Sequence, residues 1–158
     1  IQSAAKAREL GHEPRVALLS HTSFGGRSSE ITGEIKRAVA ILDSEKRDFA
    51  YEGEMTVSVA LDPDMKELYP FSRLNGPANI LVMPGLFSAA ISSRLLQKLG
   101  GGTVIGPLLV GLSKPAQIAR LDATVSDIVT DAVLAAHQAQ DPKRKKAPKG
   151  KKTARRRK

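Results

Sequence analysis

Residues 80–96, ILVMPGLFSAAISSRLL, begin with the apolar run of a buried strand and end with the residues of a helix. The predicted strand covers residues 78–84, and the change to helix falls at Pro84-Gly85, a pair that interrupts regular structure. The helix that follows is stopped by three glycines at 100–102. A strand that passes through a tight turn into a helix is the unit from which parallel α/β sheets are built. The turn itself fits a packing turn as well as the edge of a ligand site, and the local sequence leaves both open.

The same strand-to-helix order recurs towards the amino terminus. An apolar run at 15–20 predicts a strand, and a helix follows from Ser28-Ser29-Glu30. Residues 48–54 alternate and predict a second strand, 57–69 predict a weaker helix interrupted by Asp62-Pro63-Asp64, and 123–140 predict a final helix. This order predicts an α/β fold with a mainly parallel sheet and helices on both faces. The predicted apolar stripe of the first helix is Ile31, Ile35, Val39 and Leu42.

Composition limits the class of protein. A chain of 158 residues is long enough for one domain with its own core. Cysteine is absent, which excludes disulfides and thiolate metal sites, and the three histidines show no ligand spacing. No apolar run is long enough for a membrane span, and no signal-peptide pattern opens the chain. We therefore expect a cytoplasmic protein without a metal, and the start at Ile1 suggests part of a longer one.

Charge is distributed unevenly along the chain. The net charge is +9, but residues 143–158 hold 11 of the 25 Lys and Arg and no acidic residue. The remaining 142 residues hold 14 basic and 16 acidic side chains, a net charge of −2. Dense like charges repel and cannot form a core, so we predict a disordered basic tail at 139–158. Residues 143–158 are expected to contact polyanions nonspecifically.

Polar loops follow two of the predicted strands, where the carboxyl ends of parallel strands bind ligands. Residues 20–26, SHTSFGG, carry hydroxyls and glycines whose backbone N–H groups could attract phosphate, although a plain polar loop fits equally well. The loop is neither a P-loop nor a GxGxxG turn. The second loop, 84–88, offers Gly85 for close approach and the hydroxyl of Ser88. No GxSxG elbow is present, so a serine hydrolase is not indicated.

Five phrases, in order, carry a resemblance to a known family. Over residues 8–138 the chain resembles the carboxyl-terminal half of a phosphate acetyltransferase-like domain, and most closely the form fused behind the catalytic part of bacterial NADP-dependent malic enzymes. The resemblance implies a domain at 1–138 that is part of a two-domain architecture similar to isocitrate and isopropylmalate dehydrogenases, with acetyl-CoA in the cleft. The phrases are EPRVALLSHTSFGG, YEGEMTVSVALDPD, YPFSRLNGPANILVMPGL, SAAISSRLLQKLGGGTVIGPLLVGLSKP and ATVSDIV.

For active members, the resemblance implies a carboxylate that takes the CoA thiol proton, a serine that stabilises developing charge, and arginines that hold phosphate. Asp127 matches the carboxylate. The Ser-Arg pair, aligned without gaps, falls on Arg120 and Leu121, so the serine is missing and the arginine is out of register. Val110 stands where active members usually carry glutamine. No catalytic residue is therefore expected.

The resemblance implies a regulatory segment of a malic enzyme that oxidatively decarboxylates malate to pyruvate. Acetyl-CoA or another acyl-CoA is the expected effector. NADP and Mg or Mn belong to the parent enzyme, and no cofactor or metal is expected in this segment. The expected protein partners are the malic enzyme domain of the same chain and further copies in a homodimer or higher homo-oligomer. The predicted acyl-CoA-binding residues are Ser20, Thr22, Ser23, Gly25, Pro84, Gly85, Phe87, Ser88, Lys114, Arg120 and Asp127.

Two alternatives remain open. One is an active phosphate acetyltransferase, which converts acetyl-CoA and phosphate to acetyl phosphate and CoA. The other is an interaction module that acts through its basic tail.

The resemblance also weakens the turn at 84–88 as a ligand contact. Phe87 and Ala90 stand where the form of the domain that is fused to malic enzymes usually carries histidine and asparagine.

Overall fold

The computed structural model describes residues 1–27 and 29–140. These divide into two compact units, Ile1–Gly102 and the described part of Thr103–Lys158. The elements of the first unit are α1 (Gln2–Glu9), β1 (Arg15–Leu19), α2 (Glu30–Ser44), β2 (Ala50–Met55), α3 (Val57–Leu61), α4 (Met65–Leu68), β3 (Ile80–Val82) and α5 (Leu86–Leu99).

The described strands of the first unit form one parallel sheet in the order β2-β1-β3. The central strand β1 is apolar on both faces, as the run at 15–20 predicted. Val16 and Leu18 pack in one core cluster with side chains of α1 and α2. Ala17 and Leu19 pack in a second cluster with side chains of α3 and α4. The predicted parallel α/β sheet is confirmed.

Element boundaries differ from the predicted ones where turn chemistry intervenes. The predicted strand at 78–84 is shorter, Ile80–Val82. The predicted interruption of the weak helix at Asp62-Pro63-Asp64 is confirmed, because α3 and α4 lie on either side of it. There Asp62 Oδ1 accepts a hydrogen bond from the Asp64 backbone N–H at 2.8 Å. A carboxylate that bonds the backbone two residues ahead stabilises a turn and so competes with a continuous helix.

A bulge interrupts the pairing between β1 and β2. Leu18 pairs with Gly53 and Leu19 with Met55, so Glu54 has no partner on β1. A Cβ on Gly53 would lie 2.8 Å from both Cβ and the carbonyl oxygen of Leu18. Glycine is therefore the residue that allows the two strands to approach this closely. A bulge also redirects the side chain that it carries, here that of Glu54.

A charged network joins β2, α2 and the segment before β3. The Arg73 guanidinium donates to both carboxylate oxygens of Glu52, at 2.9 and 3.1 Å. Arg73 also pairs with Asp43, which accepts a hydrogen bond from the Tyr51 hydroxyl at 2.7 Å. That bond, and secondly the one from Arg73, lowers the pKa of Asp43. Because every charged member has a partner of opposite charge, we assign this network a structural role.

The second unit contains an irregular segment followed by a helix. Residues 103–124 include no helix or strand, and α6 spans Val125–Gln140, which confirms the predicted final helix. Residues 139–140, which the sequence analysis assigned to the basic tail, belong to α6. The rest of the predicted tail lies outside the described residues.

Candidate functional site

The three strands of the first unit end at one edge of the sheet. β1 leads into the loop 20–27, β2 ends at Met55, and β3 leads into Pro84-Gly85. Parallel strands place their carboxyl ends side by side, and ligands of open α/β sheets bind at that edge. The topology thus brings the two predicted loops, 20–26 and 84–88, to the same edge.

The loop 20–27 is fastened to the end of β2. The Ser20 backbone N–H donates to the Met55 carbonyl at 2.8 Å. The Ser23 hydroxyl oxygen accepts a hydrogen bond from the Thr56 backbone N–H at 2.9 Å and lies 3.2 Å from the Thr56 hydroxyl. Ser23 therefore anchors the loop, whereas the hydroxyl of Ser20 lies only beside the His21 ring, at 3.5 Å from Nδ1.

The centre of this loop has left-handed backbone geometry. Phe24 has φ of 37° and Gly25 has φ of 87°. Such values are uncommon for a residue other than glycine and need support from the surroundings. The Phe24 ring receives that support from Tyr69 and Phe71, whose ring centroids each lie 4.9 Å from its own.

The amides of Phe24 and Gly25 both point to Glu54. The Phe24 N–H donates to the backbone carbonyl of Glu54 at 3.0 Å, and the Gly25 N–H donates to its Oε1 at 3.3 Å. Helix α2 begins with a reciprocal capping box between Ser29 and Thr32. Several of the N–H groups that the sequence analysis offered to a phosphate therefore already have acceptors within the protein.

Glu54 is a buried carboxylate that the sequence analysis did not select. Its side chain is fully buried, and its Oε1 lies 3.4 Å from Nζ of Lys36 on α2. Its Oε2 and the hydroxyl of Thr22 are buried without a hydrogen-bond partner among the described residues. The alternation of residues 48–54 places Glu54 on the polar face of the predicted strand, so no local signal indicated its burial.

The turn at 84–88 presents open backbone and an apolar side chain. Apart from Gly85 and its two chain neighbours, no atom of the described residues lies within 4 Å of where a Cβ on Gly85 would be. Phe87 is 84% exposed. The Ser88 hydroxyl donates to the Gly85 carbonyl at 2.8 Å, and α5 has no side-chain cap. Space for a ligand is thus available here, while the polar atom that the sequence analysis named turns back on its own helix.

Three further predicted residues, Lys114, Arg120 and Asp127, lie in the second unit. Asp127 Oδ2 accepts hydrogen bonds from the Thr124 backbone N–H at 2.8 Å and from its hydroxyl at 2.9 Å, and the Asp127 N–H donates back to that hydroxyl at 3.2 Å. The first of these bonds is the main cause of the lowered pKa of Asp127. This arrangement is a capping box at the start of α6.

Arg120 is engaged close to its own position in the chain. Its Nε donates to Asp122 Oδ1 at 2.8 Å, and this hydrogen bonding raises the pKa of Arg120. Lys114 is exposed.

Among residues 1–27 and 29–140, no group of three or more His, Asp or Glu side chains is arranged to hold a metal ion. No helix in the same part of the chain is long and apolar enough to cross a membrane.

Comparisons with known proteins agree with the fold. A family model for phosphate acetyl/butaryl transferases matches residues 1–136. The chain is 51% identical over 138 residues to an NADP-dependent malic enzyme from Rhizobium meliloti (strain 1021), covering 87% of this chain and 18% of that protein. It is 36% identical over 132 residues to a phosphate acetyltransferase from Paracoccus denitrificans, covering 83% of this chain and 42% of that protein.

A solved structure of a phosphotransacetylase from Streptococcus pyogenes has a TM-score of 0.81 at 30% identity, covering 87% of this chain and 42% of that one. The chain spans about a fifth of the length of the malic enzymes that it matches.

Proposed function

The chain belongs to the phosphate acetyl/butaryl transferase family, and on that premise we propose that it is the acyl-CoA-sensing part of an NADP-dependent malic enzyme. The observation that carries this proposal is the difference in similarity between two kinds of relative. Identity is 51% to a malic enzyme and 36% to a phosphate acetyltransferase. In such a parent, acetyl-CoA or another acyl-CoA bound here would regulate the oxidative decarboxylation of malate to pyruvate.

The geometry around Asp127 supports binding without turnover. A general base works best with a pKa near the working pH. Thr124 stabilises the charged form of Asp127 and lowers its pKa, which makes the carboxylate a weak acceptor for a thiol proton. Arg120 is paired with Asp122, and the residue before it is Ala119, which has no hydroxyl. These features favour a regulatory segment over an active acetyltransferase.

Features of the strand-end edge support the place of binding. Gly85 is open, so an acyl-CoA could approach the backbone of the turn 84–88 closely. We infer that the ligand lies against the loops 20–27 and 84–88 in a two-domain arrangement like that of isocitrate dehydrogenases. Lys114, Arg120 and Asp127, which belong to the second unit, stay predicted ligand contacts.

The parent protein supplies the remaining chemistry in this proposal. NADP and Mg or Mn would serve the malic enzyme domain of the same cytoplasmic chain, and this segment would hold only the effector. Coupling then requires that the acyl-CoA affinity differ between the active and inhibited forms of the assembly.

The exposed side of α5 supports self-association as part of this function. Phe87, Ile91, Leu95 and Leu99 recur every fourth residue and are 84, 60, 54 and 82% exposed. Such a stripe lies along one face of a helix of 14 residues, about 21 Å long. Exposed apolar faces of this kind mark interaction sites. We infer that a second copy covers this stripe in a homodimer or higher oligomer.

Titration of acetyl-CoA against malate oxidation by the full-length protein tests the proposal. We expect the rate of NADP reduction to change with acetyl-CoA concentration and to saturate. No change in rate and no acyl-CoA binding by calorimetry would contradict it. Robust formation of acetyl phosphate from acetyl-CoA and phosphate would instead establish the acetyltransferase alternative.

Deletion of residues 143–158 separates the second alternative. We expect the full-length protein without these residues to keep its response to acetyl-CoA, because the basic tail takes no part in the proposed site. Loss of that response would favour the interaction module.

A matched pair of variants tests self-association. Leu95→Glu places a charge in the α5 stripe, and Ser93→Glu places the same charge on the opposite side of the helix. Light scattering should show a smaller species for Leu95→Glu alone. The same mass for both variants and the unmodified protein would exclude the stripe as the interface.

A further inference from the structure

Glu54 has a position that core packing does not explain. A fully buried carboxylate loses its hydration and is retained at a cost in stability unless charge pairing and hydrogen bonds offset it. Glu54 has one cationic neighbour, Lys36, which is 51% exposed, and one carboxylate oxygen without a partner among the described residues. By comparison, both carboxylate oxygens of the nearby Glu52 are bonded to Arg73.

The bulge in β2 directs Glu54 away from the strand ladder. The residues on either side of it, Gly53 and Met55, pair with β1, while Glu54 is left out of the pairing. Bulges of this kind occur beside functional sites, where they aim one side chain at a position that a regular strand would not reach. Here that position is the centre of the loop 20–27.

Glu54 holds the two residues of the loop whose backbone is left-handed. Its carbonyl accepts from Phe24 and its carboxylate from Gly25, the residues with φ of 37° and 87°. Left-handed geometry at a phenylalanine persists only where its surroundings impose it. The aromatic contacts fix the Phe24 ring, and Glu54 fixes the two successive amides.

We propose that Glu54 is the positioning residue of the β1–α2 loop, holding residues 20–27 in the shape that binds the acyl-CoA. The inference rests on the proposed function for its ligand, but the control of loop shape by Glu54 stands without it. Glu54 acts through the Gly25 amide and, by way of Lys36, connects the loop to α2. We expect the length of the Glu54 side chain to matter more than its charge, because the distance from the Gly25 backbone N to Glu54 Oε1 is already long, at 3.3 Å.

Two conservative variants separate reach from charge. Glu54→Gln keeps the length of the side chain and one acceptor oxygen but removes the charge. Glu54→Asp keeps the charge but is one methylene shorter and withdraws from Gly25. In the full-length protein, hydrogen exchange of the loop 20–27 should stay slow in Glu54→Gln and become about tenfold faster or more in Glu54→Asp. Acetyl-CoA affinity should follow the same order, with a loss of about tenfold or more for Glu54→Asp only.

Glu52→Asp is the matched control, because it shortens a buried glutamate of the same strand that bonds Arg73 and not the loop. It should lower thermal stability without changing loop exchange or acetyl-CoA affinity. Unchanged loop exchange in Glu54→Asp, or an equal effect of Glu52→Asp on the loop, would overturn the inference. If the unmodified protein bound no acyl-CoA, the proposed function would fail, and the exchange measurement would still decide the role of Glu54.

Discussion

Helices α2 and α5 have similar sequence patterns and opposite surroundings. Each follows a parallel strand, and each carries apolar residues at four-residue spacing. In α2, Ile35 and Val39 are 6 and 9% exposed and pack against the sheet. In α5 no residue is buried, and Ile91 and Leu95 are 60 and 54% exposed.

The two helices also begin differently. A reciprocal capping box between Ser29 and Thr32 closes the start of α2, whereas α5 begins at Gly85 without a side-chain cap. Helix α2 is therefore stabilised by both its cap and its core contacts. Helix α5 lacks both within the described residues. An apolar stripe at helical spacing therefore predicts a buried face but not the surface that buries it.

Truncation of one isoleucine on each helix tests this contrast most strongly. Ile35→Ala should lower the free energy of unfolding by about 2–5 kcal/mol, because it opens a cavity in the core. Ile91→Ala should change it by less than about 0.5 kcal/mol in dilute solution. Urea denaturation at low protein concentration measures both, and equal losses would show that α5 is as well packed as α2.

A methyl group added beneath α2 gives the next largest effect. In Gly53→Ala the new Cβ would meet Leu18 at 2.8 Å and Ile35 Cγ2 at 3.4 Å. We expect a loss of about 1–3 kcal/mol from overpacking. Gly85→Ala at the start of α5 is the control, since the space there is open and its φ of −168° suits any residue. A neutral Gly53→Ala in the same denaturation experiment would mean that β1 and β2 can separate at the bulge.

The helix caps provide a smaller difference. Ser29→Ala removes the cap of α2 and should cost about 1 kcal/mol. Gly85→Ser offers α5 a cap that it lacks and should add only a few tenths of a kcal/mol, because glycine is itself tolerated at this position. Thermal unfolding followed by circular dichroism distinguishes the two, and a larger gain from Gly85→Ser would indicate that α5 is limited by its amino terminus.

Helix α6 has a capping box, as α2 does, and exposed apolar residues, as α5 does. The Asp127 carboxyl in this capping box is a titratable group. The pKa of Asp127 is lowered by Thr124, so the stabilisation is present above the unfolded pKa of about 3.9 and is lost as the pH falls through the lower folded value. NMR titration should show this lowered pKa, and Thr124→Val should move it only part of the way back, because the backbone N–H of residue 124, the main cause of the shift, remains. An unchanged titration in Thr124→Val would remove the Thr124 hydroxyl as a contributor.

Much of the first unit followed from local patterns. The run at 15–20 and the Ser-Ser-Glu start after it predicted β1 and α2 closely, because β1 is apolar on both faces and α2 has a strong capping signal. The break at Asp62-Pro63-Asp64 was also predicted. The length of the edge strand β3 was less well predicted, since it depends on how far pairing extends.

The candidate site was predicted in part. The topology places the loops 20–26 and 84–88 at one edge of the sheet, as expected for parallel strands. Glu54 was not predicted, because the alternation of residues 48–54 makes it one polar residue of the strand among others. The ligand contacts themselves stay predictions.

Sequence alone determined the order of strands and helices, the family and the concentration of positive charge at 143–158, because each depends on residues near one another in the chain. Tertiary structure decided which apolar stripe is buried and where the buried carboxylate points. Both depend on surfaces that are distant in sequence: β1 and β2 cover Ile35, and the bulge at Gly53 turns Glu54 towards Gly25. Burial and register are properties of the assembled sheet, so no single segment encodes them.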